Sequence, residues 1–100
     1  MQTQAVEDYL KAIFELEREH GRVVTSRLAE RLRVTAASAT GMVKRLGKMR
    51  LVTHAPYRGV VLTEAGRRIA LEVLRHHRLI EAYLAEALGI PWDQVHAEAE

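Results

Sequence analysis

His77 and Glu81 stand four residues apart, and so do His96 and Glu100. On an α-helix, positions i and i+4 lie one above the other on the same face. Each pair can therefore aim an imidazole nitrogen and a carboxylate oxygen at one point, the donor chemistry of a borderline divalent metal ion. Each pair also has a plainer reading. A single helix histidine is more often structural or exposed than a ligand, and Glu81 can pair with Arg75 or Arg78 on the helix surface. His20, at a helix end, and His54 and His76, without a partner at chelating spacing, are read as structural.

The elements that must carry these pairs follow from hydrophobic spacing. Val6, Tyr9, Leu10, Ile13, Phe14 and Leu16/Glu17 repeat at helical intervals and predict a helix over residues 4–20, with Thr3 as N-cap and Gly21 as its stop. Val23 and Val24 suit a small strand. Thr25 is placed to cap a second helix, Ser26 to Arg33, with Leu28, Ala29 and Leu32 inward. Val34 and Thr35 form a tight connection, and Thr35 caps a third helix from Ala36 to Met49. Its buried stripe is Ala39, Met42, Val43 and Leu46.

Residues 51–54 and 60–63 are two β-rich runs joined by Ala55-Pro56-Tyr57-Arg58-Gly59, a hairpin with a basic and aromatic tip. Thr63 caps a long helix from Glu64 to about Leu88, ended by Gly89. Pro91 opens a last helix carrying Trp92, Val95 and His96. Two helices joined by a short turn and followed by a hairpin make a winged helix-turn-helix. The expected fold is mainly α: three helices and a two-stranded β wing, then a long helix and the start of a helical dimerisation domain. The expected boundaries are a DNA-binding domain over 1–63 and, over 64–100, the linking helix and a truncated start of the metal-binding and dimerisation domain.

Charge supports this division. Residues 33–68 carry eight Lys and Arg against one acidic residue, a net +7, while residues 1–32 are net −1 and residues 69–100 net −4. A concentrated basic block is the footprint of a polyanion partner; the plain alternative is a solvated basic face. A recognition helix must enter a major groove about 12 Å wide, so its leading residues are small or polar. Here they are Ala36-Ala37-Ser38-Ala39-Thr40-Gly41. Thr35, Ser38 and Thr40 offer hydroxyls. Ala37 and Gly41 permit close approach, and Lys44, Arg45 and Lys48 suit phosphates. Tyr57 and Arg58 are placed to reach the backbone or a minor groove from the wing. Few base-specific donors are present, so specificity is expected to rest on thymine methyls, hydroxyls and DNA shape, and on a dimer at a two-fold site.

Glu7-Asp8-Tyr9-Leu10, Leu28-Ala29-Glu30-Arg31-Leu32, Val43-Lys44-Arg45-Leu46, Tyr57-Arg58-Gly59-Val60-Val61-Leu62-Thr63, Gly66, His77-Arg78-Leu79-Ile80-Glu81 and Val95-His96-Ala97-Glu98-Ala99-Glu100 occur in one order. In this the chain resembles the diphtheria toxin repressor and manganese transport regulator family over residues 4–100. The resemblance implies a homodimer on a double-stranded DNA operator, activated by Mn²⁺ or Fe²⁺, repressing metal-uptake genes. It places Asp8 at a first-helix ligand position and His77 at a long-helix one. Glu81 and His96 match ancillary ligands of iron-type members, and Glu100 falls where manganese-type members carry glutamate. Two oxygen donors, Asp8 and Glu100, in place of two sulfurs favour Mn²⁺ by ligand chemistry. Lys11 departs from the second first-helix glutamate of some manganese-type members, and Gly41 from the base-contacting glutamine of iron-type members.

Two other readings stay open: a metal-independent winged-helix regulator, and a winged helix used as a protein-interaction module. No enzyme is expected, since the chain offers no nucleophile–base pair, Gly-rich phosphate loop or HExxH. The chain has no cysteine, which rules out disulfides and Cys-based zinc sites. Met1 to Leu10 has no apolar signal core, and no apolar run is long enough to span a bilayer, so a cytoplasmic protein off the membrane is expected.

Overall fold

The computed structural model describes residues 3–89. The chain divides into two units, Met1–Ala70 and Leu71–Glu100. The first contains α1 (Gln4–His20), α2 (Thr25–Leu32), α3 (Ala36–Lys48), β1 (Val52–Ala55), β2 (Gly59–Leu62) and the opening turns of α4 (Glu64–Leu88). This is a mainly helical winged helix-turn-helix.

The α1 stripe is buried as its spacing requires: Val6, Tyr9, Leu10, Ile13, Phe14 and Leu16 all lie in the core. Thr3 Oγ1 accepts from the Val6 amide at 3.2 Å. Gly21 ends the helix in the left-handed region, φ 76°, its amide donating to the Glu17 carbonyl at 2.9 Å. Leu28 and Ala29 of α2 and Ala39, Val43 and Leu46 of α3 complete the core with Val23, Leu51, Val52, Val60 and Leu62. Burying each Val, Leu, Ile or Phe side chain of this set contributes about 1.5–3 kcal/mol. Met42 is only half-buried.

α2 begins one residue earlier than its sequence predicts. Val24 is the N-cap, without a side-chain bond, and its carbonyl takes the Arg27 and Leu28 amides, both at 3.1 Å. Thr25 lies inside the first turn, because the extended Val24 already supplies the acceptor. α2 and α3 end alike. The Val34 amide reaches the Ala29 carbonyl at 3.0 Å and the Arg33 amide that of Glu30 at 3.3 Å. Likewise Leu51 reaches Leu46 and Arg50 reaches Gly47, both at 3.0 Å. Each is a Schellman closure, with Arg33 (φ 57°) and Arg50 (φ 61°) at the left-handed position usually given to glycine.

The wing is an antiparallel pair in which Val52 faces Leu62 and Ala55 faces Gly59. Both strands sit one residue from the predicted runs at the turn end. The expected Val23-Val24 strand is reduced to one parallel bridge, Val23 to Gly59. The Val23 amide donates to the Arg58 carbonyl and the Val60 amide to the Val23 carbonyl, both at 2.9 Å. Gly59 is required there: a Cβ would stand 2.1 Å from the Val23 carbonyl oxygen, and φ is 73°.

Thr63 joins the wing to α4. Its hydroxyl donates to the Arg50 carbonyl at 2.8 Å and accepts from the Gly66 amide at 3.1 Å. In the second unit, the described part is α4 from Leu71 onward, which exposes Leu71, Leu79 and Tyr83. Among the described residues, no helix is long and apolar enough to cross a membrane. The expected helix opened by Pro91, with His96 and Glu100, lies outside the described residues.

Candidate nucleic-acid interface and metal ligands

Ala39, Val43 and Leu46 fix the rotation of α3 by entering the core. The helical period then turns Ala37, Gly41, Lys44 and Lys48 to the opposite side and Thr40 to its edge, and all five are exposed. A Cβ added at Gly41 would meet nothing within 4 Å, so this face is open. Ser38 and Arg45 lie on its flank and are exposed as well.

Thr35 is committed to its own helix. Its Oγ1 accepts from the Ser38 amide and donates to Ser38 Oγ, both at 3.0 Å. With that acceptor site filled, Ser38 retains its own hydroxyl hydrogen for an outside partner. Among the described residues, no ion pair engages Arg33, Lys44, Arg45, Lys48 or Arg50, so the charge around α3 is uncompensated. Some cations elsewhere are matched: Arg31 bonds Glu19 and approaches Glu15 at 3.5 Å, and Arg68 meets Glu64 at 3.2 Å.

The two wing-tip residues part company. Tyr57, with φ 66°, is 95% exposed. Arg58 Nη2 turns inward and donates to Glu17 Oε2 at 3.2 Å, while Arg67 Nη2 donates to Glu17 Oε1 at 3.1 Å. Arg67 also lies over the Phe14 ring, 5.8 Å from its centre. The Glu17 side chain is only 11% exposed. Sequence reasoning placed Glu17 beside the buried stripe without assigning it a role. A lone carboxylate at a core-facing helical position was the available signal.

Asp8 and His77, Glu81 come from different units. Asp8 is half-buried on α1, and Gln4 Nε2 donates to its Oδ1 at 2.9 Å. Such a bond fixes the orientation of the Asp8 carboxylate. His77 and Glu81 are half-buried on α4, one turn apart. The donor types, two carboxylates and an imidazole, fit a hard to borderline divalent cation. Among the described residues, no three His, Cys, Asp or Glu side chains gather to hold one.

The sequence profile described as iron dependent repressor, N-terminal DNA binding domain, matches residues 1–60. The one described as iron dependent repressor, metal binding and dimerisation domain, matches residues 63–100. The chain belongs to the iron-dependent repressor family. It is 41% identical over 93 residues to the iron-dependent repressor IdeR of Mycobacterium tuberculosis, covering 93% of this chain and 40% of that protein. It is 35% identical over 100 residues to the transcriptional regulator MntR of Geobacillus kaustophilus, covering 100% and 70%. A solved manganese-dependent transcriptional repressor in complex with manganese superposes with TM-score 0.84 at 42% identity, covering 94% of this chain and 43% of that one. The IdeR structure of T. acidophilum gives 0.86 at 31%, covering 99% and 46%. The chain thus spans about two fifths of the length of the iron-dependent repressors it matches. Its winged fold is the family's.

Proposed function

We propose that this chain is the DNA-reading part, with some of the metal-sensing part, of a transcriptional repressor activated by Mn²⁺ or Fe²⁺. The observation that carries the reading is α3. Its core-facing stripe turns a small, open, cationic face outward in a winged helix-turn-helix of this family. Phosphates meet Lys44, Lys48 and Arg45; Thr40 and Ser38 offer hydroxyls, and Ala37 and Gly41 allow the helix close to base edges. The protein acts as a homodimer on operator DNA, in the cytoplasm, as a regulator and not an enzyme.

The metal donors are Asp8, His77, Glu81, His96 and Glu100. When bound, the cation supplies an attraction for oxygen and imidazole donors. Gln4 holds Asp8 in one orientation for that role. Metal that binds one conformational state better shifts the population to it, to an extent set by the difference in metal affinity. The oxygen-rich donor set supports Mn²⁺ over softer ions.

The test is a titration of the intact protein with Mn²⁺ while its affinity for duplex DNA is measured. Metal tightens binding of the unsubstituted protein, and Asp8→Ala removes most of that gain while leaving weak metal-free binding in place. Unchanged metal dependence in Asp8→Ala would refute the ligand assignment. Duplex binding indifferent to Mn²⁺ would leave a metal-independent regulator, and failure to bind any duplex a protein-interaction module.

A further inference from the structure

We propose that Arg58 positions the wing through Glu17 and is not a phosphate contact, so that the wing offers DNA only Tyr57. This rests on the DNA-binding reading above. Both polar ends of Arg58 are engaged: its carbonyl accepts from the Val23 amide at 2.9 Å, and its guanidinium, on a side chain 54% exposed, donates to Glu17 at 3.2 Å. Glu17 is a fixed post. One oxygen holds Arg58, the other holds Arg67 at 3.1 Å, and the carboxylate is 11% exposed.

For Arg58 to reach a phosphate, it must leave this largely buried carboxylate with one partner instead of two. Breaking this bond leaves a carboxylate that is 11% exposed with Arg67 alone, a cost that any phosphate contact of Arg58 has to offset. Gly59 adds a second anchor, because its missing Cβ lets β2 close onto Val23. With Arg58 and Gly59 both tied down, the turn throws Tyr57 outward in a left-handed conformation, 95% exposed. A bulky residue held there is strained, and such strain persists where the surroundings over-determine it. Glu17 and Arg58 are therefore positioning residues, and Tyr57 is the group they present.

The experiment measures affinity for a random-sequence duplex against salt concentration, using the full-length protein with Mn²⁺. The variants are R58Q, E17Q, their double, and Y57A with and without E17Q. R58Q and E17Q each weaken binding by about fivefold, the lower end of couplings between sites. The double is no weaker than either single. The slope of log affinity on log salt stays at the unsubstituted value in all of them, and Y57A costs nothing further once E17Q is present. A slope reduced by about one in R58Q, the mark of a lost phosphate contact, would overturn the proposal. So would tighter binding by E17Q, which would mean that a released Arg58 reaches DNA. If E17Q does not fold, the R58Q slope decides alone. If the unsubstituted protein binds no duplex, this inference and the functional reading both fail; a lowered R58Q slope sinks this inference only.

Discussion

Lys44 and Lys48 stand one turn apart on the open side of α3, with no ion pair to either among the described residues. A solvated lysine facing a phosphate releases one condensed counterion when it binds, so its contribution is nearly independent of base sequence and steeply dependent on salt. Lys44→Gln is therefore expected to weaken binding by a similar factor on every duplex and to lower the salt slope by about one. Affinity measured over a salt series on several unrelated duplexes checks both halves. An unchanged slope would remove Lys44 from the phosphate contacts. Its placement was readable from sequence, because Ala39, Val43 and Leu46 fix which side of the helix faces out. The state of Arg58 was not. Its partner Glu17 is forty-one positions away, and no local period reports a contact between a wing and the first helix. Thr35 shows the intermediate case: its capping role was legible, and it is that same role that ties up its hydroxyl.

Helix ends decide how the reader is framed. α1 stops at a glycine, whereas α2 and α3 stop at Arg33 and Arg50 in the same left-handed conformation. A side chain there is strained by roughly 1 kcal/mol relative to glycine, partly offset by the greater freedom of glycine in the unfolded chain. Arg50→Gly is thus expected to stabilise the fold by about 0.5–1 kcal/mol, a rise of a few degrees in Tm for a domain of this size. Arg50→Ala, which keeps the Cβ and removes the charge, is expected to give no such rise. Differential scanning calorimetry on the two variants separates conformation from charge, and an equal rise in both would attribute the effect to repulsion within the basic block. At this scale the order of elements was legible, since the period agrees along the chain and the caps agree at Thr3, Thr35 and Thr63, though not at Thr25. What escaped was decided by tertiary contact. Val23 and Val24 have strand propensity, yet only Val23 finds an edge, at Gly59, before Val24 must begin α2. The Arg-bearing Schellman closures leave no glycine for a sequence reading to find.

A single winged module of this kind makes few base contacts, and its readout of hydroxyls and small side chains carries little discrimination by itself. Two modules joined on a two-fold site turn the second contact into an intramolecular one, raising affinity by about 10²–10⁴ without any new type of contact. For the proposed homodimer, the second unit is the candidate surface: Leu79 and Tyr83 lie one turn apart on α4, 59% and 67% exposed, in a stretch matched to the family's dimerisation domain. Exposed apolar side chains are drawn into interfaces when they form a contiguous patch. Replacing both with glutamate, L79E together with Y83E, is expected to shift the full-length protein from dimer to monomer in sedimentation. On a duplex carrying two half-sites, its affinity should fall by the avidity factor. On a duplex carrying one half-site it should match the unsubstituted protein, because α3 and the wing belong to the other unit and keep their own core. Equal losses on both duplexes would mean that the substitutions damage the reader itself, and a persistent dimer would place the interface on a different face.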